Sequence, residues 1–214
     1  MIQPKTQIRP EGLNVIILAV LATIIFAILG WGILSLVSLI VTGLVLNFFR
    51  DPERVVPDDP DVVVAPADGK VVKTSTMKDP ITGEDRQVIC IFMNVFNVHV
   101  NRMPVAGKIA AIKYFPGKFF NASLDKASKD NERCAWSIED EQGNLWTMVQ
   151  IAGLVARRIV PLAQKGDLLV RGERYGLIKF GSRVDLYLPK EYEFSVYKGE
   201  KTFAGETIIA RKSK

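Results

Sequence analysis

Three side chains in this sequence could combine to break a bond: the Ser182 hydroxyl, the imidazole of His99 and the carboxylate of Asp68. Such a set can turn a hydroxyl into a nucleophile, with the imidazole taking the proton and the carboxylate fixing the imidazole tautomer. Ser182 follows Gly181 in Phe180-Gly-Ser-Arg183, within a run, Ile178–Leu188, that alternates as a strand does. Ile178, Phe180, Val184, Leu186 and Leu188 share a parity with Ser182, which points its hydroxyl inward among apolar neighbours. A buried hydroxyl needs a partner, and Gly181 offers a carbonyl with no Cβ to block close approach. That suits an internal nucleophile. A small polar residue at a bulge beside a strand glycine fits the same pattern.

His99 is the only histidine and lies in Phe96-Asn-Val-His-Val-Asn101, where Asn97, His99 and Asn101 face one way and Phe96, Val98 and Val100 the other. An imidazole on such a polar face is commonly structural. It is also the one side chain here with an ordinary pKa near neutrality, about 6.5, and so the natural proton carrier. Asp68 sits in Pro66-Ala-Asp-Gly69, a turn between two strand-like runs. Asp before Gly is ordinary turn chemistry, and the functional reading depends on its neighbours in space.

The elements that must position these residues are strands. Short apolar runs at Val62–Ala65, Lys70–Ser75, Gln87–Met93, Phe96–Val100, Lys108–Phe115, Leu145–Ile151, Leu168–Val170, Ile178–Leu188 and Glu193–Tyr197 are separated by turn signals. The pattern predicts a mostly β fold, a compact barrel or sandwich over residues 50–214, with a short helix or ordered loop over 121–135. A Pro- and Asp-rich connector, Asp51–Pro60, precedes it.

Residues 13–49 differ in kind. Val15–Leu46 carries no charge, and as one helix it would measure about 48 Å against a hydrocarbon core of roughly 30 Å. Gly30-Trp31-Gly32 interrupts it, so Leu13–Leu29 and Ile33–Phe49 are expected as two short membrane helices in a hairpin after a tail, residues 1–12. A single tilted span is the alternative. A cleaved signal peptide would be about half as long and end at small residues. Lys5 and Arg9 before the run, with Arg50 and Arg54 after it, favour both ends on the cytoplasmic side of the cell (inner) membrane. The net charge of +5 suits anionic headgroups. No basic stripe with interleaved aromatics marks a nucleic-acid binder. Cys90 and Cys134 are too few and too far apart for a metal knuckle, and one histidine excludes a site built on several imidazoles, so no metal is expected.

The motifs, taken in order, resemble the phosphatidylserine decarboxylases of the short bacterial type from about Phe49 to Ala210. They are Phe49-Arg-Asp-Pro-Glu-Arg54, Ala65-Pro-Ala-Asp-Gly-Lys70, Phe92-Met-Asn-Val-Phe-Asn-Val-His-Val-Asn-Arg-Met-Pro104, Gly117-Lys-Phe-Phe-Asn-Ala122, Asp125-Lys-Ala-Ser-Lys-Asp-Asn-Glu-Arg133, Gly153-Leu-Val-Ala-Arg-Arg-Ile159 and Phe180-Gly-Ser-Arg183. The resemblance implies self-cleavage between Gly181 and Ser182, giving pieces 1–181 and 182–214 that stay associated as a heterodimer. A higher oligomer is left open. It also implies that Ser182 becomes a covalent pyruvoyl group (the pyruvate cofactor), that the amine of an anionic phospholipid substrate forms a Schiff base with it, and that phosphatidylserine yields phosphatidylethanolamine and carbon dioxide. His99 is then the candidate base and proton donor, with Asp68 its orienting partner.

The longer members carry H-x-x-H-x-P, in which the second histidine is associated with self-cleavage and the first with decarboxylation. Aligned on Met103-Pro104, His99 takes the first place and Arg102 the second. Either His99 serves both steps or another group activates Ser182. Two further readings compete. One is a membrane-anchored β-sandwich adaptor without chemistry. The other is a serine hydrolase on Ser182, His99 and Asp68, although the chain lacks a G-x-S-x-G elbow.

Overall fold

The computed structural model describes residues 7–123, 127–154, 158–179 and 181–213. Phe180, Asp125-Lys126 and Val155–Arg157, all part of the motifs above, lie outside the described residues. The chain divides into two compact units, Met1–Glu53 and Arg54–Lys214.

In the first unit a short 3-10 turn, Pro10–Gly12, leads into α1 (Leu13–Ile28), and α2 (Gly32–Phe48) follows. Gly30 has a φ of +71°, a left-handed value that stops a right-handed helix and that glycine adopts without steric cost. The helices are joined by hydroxyls: Thr23 Oγ1 lies 2.9 Å from Ser38 Oγ and 3.2 Å from Thr42 Oγ1. Their outer ends are tied as well, because the Arg9 amide donates to the Phe49 carbonyl at 2.8 Å and the Asp51 amide to the Gln7 carbonyl at 2.7 Å. The result is the expected hairpin with both chain ends together. Leucine, isoleucine and valine side chains stand exposed along both helices, up to 82 % at Ile33, a surface suited to lipid rather than water. Pro10–Ile28 is long and apolar enough to cross a membrane, which is consistent with membrane association.

The second unit is mostly strands. In chain order they are β1 (Val62–Val64), β2 (Gly69–Lys78), β3 (Asp85–Met93), β4 (Val100–Arg102), β5 (Gly107–Phe115), β6 (Arg133–Glu139) and β7 (Leu145–Ala152). There follow β8 (Ile159–Pro161), β9 (Leu168–Leu169), β10 (Arg174–Ile178), β11 (Ser182–Tyr187), β12 (Tyr192–Phe194), β13 (Lys201–Thr202) and β14 (Ile208–Lys212). One helical turn, α3 (Ala127–Asp130), precedes β6. A curled eight-stranded sheet runs β13-β2-β3-β11-β7-β6-β5-β9, and two three-stranded sheets run β1-β14-β12 and β4-β10-β8. All three contribute to one core, in which Val63, Tyr192 and Tyr175 meet Ile91, Val184, Met148 and Trp136. Fully burying a side chain of this size contributes roughly 1.5–3 kcal/mol, so the inner face of the large sheet carries most of the driving force.

Three expectations need correction. The run Ile178–Leu188 is two strands in different sheets, because Gly181 has a φ of +65°, which no extended strand can continue through. Phe96–Val100 is not a strand before Val100. Asn94 and Asn97 fold it into a turn, the Asn94 amide donating to Asn97 Oδ1 and the Phe96 amide to Asn94 Oδ1, both at 2.9 Å. Its alternation is therefore lost, and His99 is fully buried rather than on a polar face. Over 121–135 the short helix is present, but β6 begins at Arg133 and was not anticipated as a strand.

The outer face of the large sheet holds a smaller core of Val88, Cys90, Ala135, Val149, Ile151 and Tyr187. Cys134 faces the inner core, so the two free cysteines lie on opposite faces of one sheet. Burial raises both thiol pKa values, that of Cys134 to about 11. Among them the Arg183 guanidinium holds Asp185 through two bonds, at 2.5 and 2.9 Å, and reaches Cys90 Sγ at 2.9 Å. Burial opposes the Arg183 charge, and the Asp185 carboxylate more than offsets it. Removing one member of such a pair strands a buried charge, at a cost of about 3–5 kcal/mol. Arg183→Met is therefore expected to lower the unfolding free energy by that amount, and Arg183→Met with Asp185→Leu to recover most of it. Denaturant titration of the detergent-solubilised full chain reads both.

Candidate active site

Ser182 is the first residue of β11, paired with Met93 of β3 on one side and Ala152 of β7 on the other. Its inward parity with Val184 and Leu186 is as the alternation predicts, and the residue is fully buried. The hydroxyl lies 3.9 Å from Met93 Sδ. A thioether is a weak acceptor, so this partner leaves the hydroxyl's donor capacity largely unspent.

Gly181 is shaped from two sides. The left-handed φ that ends β10 would strain any residue with a side chain. Across from it, a Cβ on Gly153 would overlap the Gly181 carbonyl oxygen and come within 3.0 Å of the carbonyl carbon. The Gly181 carbonyl thus rests on the bare Cα of Gly153, just beyond the end of β7. Asn131, fully buried, holds this end of β7 in place. Its Nδ2 donates to the carbonyls of Ala152 at 2.7 Å and Phe120 at 2.8 Å, and its Oδ1 accepts the Phe120 amide at 3.0 Å.

His99 grips the same segment twice. Its carbonyl accepts the Ile178 amide at 3.3 Å, and its Nε2 accepts the Gly181 amide at 3.2 Å. Nδ1 lies 2.9 Å from the Asn97 carbonyl. A carbonyl only accepts and an amide N–H only donates, so these partners assign the proton to Nδ1 and the lone pair to Nε2. The imidazole is held as a neutral base beside the Gly181–Ser182 bond. The turn at Asn94–Asn97 that defeated the strand reading is what supplies its orienting carbonyl.

Asp68 is buried in its turn, and Oδ1 accepts the Ala204 amide at 2.7 Å. Arg54 Nη2 donates to both carboxylate oxygens, at 3.0 and 2.8 Å, while Arg54 Nη1 reaches Glu206 at 3.0 Å. The Arg102 amide donates to the Pro66 carbonyl at 2.9 Å, which lays the Asp68 turn alongside the segment that carries His99. Gly69, which closes the turn, packs against the Phe92 carbonyl, where a Cβ would not fit. Arg102 itself donates to the Gly172 carbonyl at 3.0 Å; a guanidinium stays protonated and is no base.

The structure therefore seats His99 on the amide of Gly181, the residue before Ser182, and ties Asp68 to Arg54. The residue pattern gives no site role to Asn97, Met93, Gly153, Arg54 or Asn131. Each belongs to one of the motifs, but none has a distinctive chemistry until its spatial neighbour is known. Among the described residues no group of three or more His, Cys, Asp and Glu side chains converges as a metal site.

The family model for phosphatidylserine decarboxylase matches residues 41–210. A phosphatidylserine decarboxylase proenzyme of Nitratidesulfovibrio vulgaris is 59 % identical over 213 residues, 100 % of this chain and 98 % of that one. The proenzyme of Oleidesulfovibrio alaskensis is 58 % identical, covering 96 % and 94 % of the two chains. That of Solidesulfovibrio magneticus is 55 % identical over the full length of both. Matches that span both the apolar hairpin and the strands around Ser182, at these identities, place the chain in the phosphatidylserine decarboxylase family.

Proposed function

We propose that the chain cuts itself at Gly181–Ser182 and then, with a pyruvoyl group made from Ser182, converts phosphatidylserine to phosphatidylethanolamine and carbon dioxide. The observation that carries this is the His99 Nε2 lone pair held at the Gly181 amide, one residue before a buried Ser182 hydroxyl whose partner among the described residues is a thioether.

His99 removes the hydroxyl proton as Oγ attacks the Gly181 carbonyl carbon. The imidazolium gives that proton to the departing Ser182 nitrogen, so the peptide bond becomes an ester and the nitrogen an amine. Loss of the Ser182 Cα proton breaks the Cβ–Oγ bond, releasing Gly181 as a carboxylate and leaving dehydroalanine, which water converts to pyruvoyl and ammonia. The Asn97 carbonyl keeps the His99 tautomer, and Asp68, ion-paired with Arg54, helps orient His99 through the turn laid alongside its segment. Arg102 takes no proton, and we assign both halves of the reaction to His99. The surroundings of Ser182 fit the new group: Gly153 contributes no side chain, and the paired residues Met93 and Ala152 carry no charge.

A pyruvoyl group supplies an electrophilic ketone for a primary amine and an electron sink when a carboxylate departs. His99 then returns a proton to the substrate carbon that has lost carbon dioxide. The pieces 1–181 and 182–214 stay together as a heterodimer, because β11 is hydrogen-bonded on both edges and Arg183 and Asp185 are buried beside it. The apolar hairpin supports a place at the inner membrane with the catalytic unit on the cytoplasmic side, where an anionic phospholipid is presented.

Ser182→Ala is expected to leave one uncut, inactive chain by intact-mass spectrometry, and a cut at 181/182 in that variant would overturn the proposal. His99→Ala is expected to lose roughly 10²–10⁴-fold in both cleavage and decarboxylation, the range for a proton-transfer group. Normal cleavage in His99→Ala would assign the first step to another base. Gly153→Ala should push the Gly181 carbonyl aside at a cost of about 1–3 kcal/mol. That corresponds to cleavage slowed roughly five- to 150-fold, read as the uncut fraction on a denaturing gel over time.

A further inference from the structure

A polar chain that the mechanism above does not use runs through the apolar core to Ser182. The Trp136 indole donates to Gln150 Oε1 at 2.9 Å, and Gln150 Nε2 donates to Asn101 Oδ1 at 2.8 Å. Asn101 Nδ2 lies 3.6 Å from Met93 Sδ, the same sulfur that Ser182 Oγ approaches at 3.9 Å. Trp136, Gln150, Asn101 and Ser182 are all fully buried. Gly176 makes room for the link, since a Cβ there would come within 2.5 Å of Gln150 Nε2.

The direction of every bond follows from the first donor. An indole N–H can only donate, so Gln150 must turn its oxygen to Trp136 and its amino group away. That amino group can only donate, so Asn101 turns its oxygen to Gln150 and its own amino group to Met93 Sδ. Burying such amides unpaired costs several kcal/mol, and a core would not retain them without return. Yet the last donor in the series rests on a thioether. The network ends in a fixed, under-used N–H that shares the Met93 sulfur with the reacting hydroxyl.

We infer that Asn101 stabilises the leaving oxygen in the elimination half of self-cleavage, an inference that rests on the serinolysis reading above. In the uncut chain Oγ carries a proton, so Oγ and Asn101 are both donors sharing one sulfur. Once the acyl group has moved, Oγ is an ester oxygen that only accepts, and the Asn101 N–H can leave the shared sulfur for this stronger acceptor. When His99 takes the Cα proton and the Cβ–Oγ bond breaks, the electron pair goes to Oγ, which becomes a carboxylate oxygen of Gly181. Charge develops on Oγ in this step, where a pre-oriented buried donor acts most strongly.

Asn101→Asp keeps an acceptor for Gln150 Nε2 and removes the N–H. Hydroxylamine cleaves esters and spares amides, so it separates a block before the acyl shift from a block after it. In the full-length chain, Asn101→Asp is expected to eliminate roughly 10²-fold more slowly, the loss typical of one such donor. It should accumulate as a chain that hydroxylamine splits into a Gly181 hydroxamate and a fragment beginning with Ser182, identified by intact mass. Trp136→Phe frees both amides without touching Asn101 and is expected to give a smaller delay with the same hydroxylamine-sensitive product. The inference is overturned if Asn101→Asp cleaves at the wild-type rate, or if it stalls as a hydroxylamine-resistant chain with an unchanged unfolding midpoint. Should Asn101→Asp misfold, Trp136→Phe decides: a hydroxylamine-sensitive delay supports the role, and wild-type cleavage or a resistant chain overturns it. A wild-type chain that is never cut would instead sink the serinolysis reading itself.

Discussion

Hydrogen bonding along both edges of β11 is the constraint from which the site's geometry follows. All six residues from Ser182 to Tyr187 are paired with β3 on one side and β7 on the other. Leaving backbone groups unpaired in a core is costly, so the strand cannot drift or slip by one residue without turning its whole apolar face outward. Ser182 inherits that rigidity as the first residue of the strand. Its neighbour Gly181 does not, because the chain there has just left another sheet. The bond proposed to break therefore joins a fixed residue to a bent one, and what lies on the C-terminal side remains held by twelve cross-strand pairings after the cut.

The residues around that junction work by being obligate donors or obligate acceptors. The Asn97 carbonyl and the Gly181 amide leave His99 one neutral tautomer. The Trp136 indole leaves Gln150 and Asn101 one orientation each. Arg54 anchors the Asp68 carboxylate from both oxygens. In a low-dielectric interior such groups need no reorganisation when charge appears, which is what makes a static arrangement useful for catalysis. The buried Arg183–Asp185 pair on the opposite face is a different device: it fixes the strand that carries the chemistry rather than the chemistry itself.

Much of this was legible in the residue order, and the failures have identifiable causes. Ser182 was placed inward because Val184 and Leu186 alternate with it, and period-two patterns survive wherever a strand has one buried face. The same logic failed one residue earlier, where a glycine at positive φ moves the chain between sheets while the hydrophobic pattern runs on. It failed again at Phe96–His99, where two asparagines offered the backbone turn bonds that alternation does not reveal. β6 was missed because Cys134, Trp136 and Ile138 alternate with Ala135 and Ser137, residues too small and mild to mark an outer face, and because both faces of that strand are buried.

The sequence by itself determined the apolar hairpin and its break at Gly30, the mostly β character of the second unit, and Gly181–Ser182, His99 and Asp68 as the residues able to do chemistry. Those properties depend on local spacing, charge and side-chain type, which the chain states directly. Only the tertiary structure decided that His99 is buried against Gly181, that Asp68 is held by Arg54, that Gly153 receives the Gly181 carbonyl, and that Asn101 and Ser182 share the Met93 sulfur. Each of these joins residues between 14 and 82 positions apart, with the carbonyl seated on Gly153 the one that depends most on two strands ending together. Such contacts arise from how strands pair and where they end, and no local pattern encodes a partner that distant.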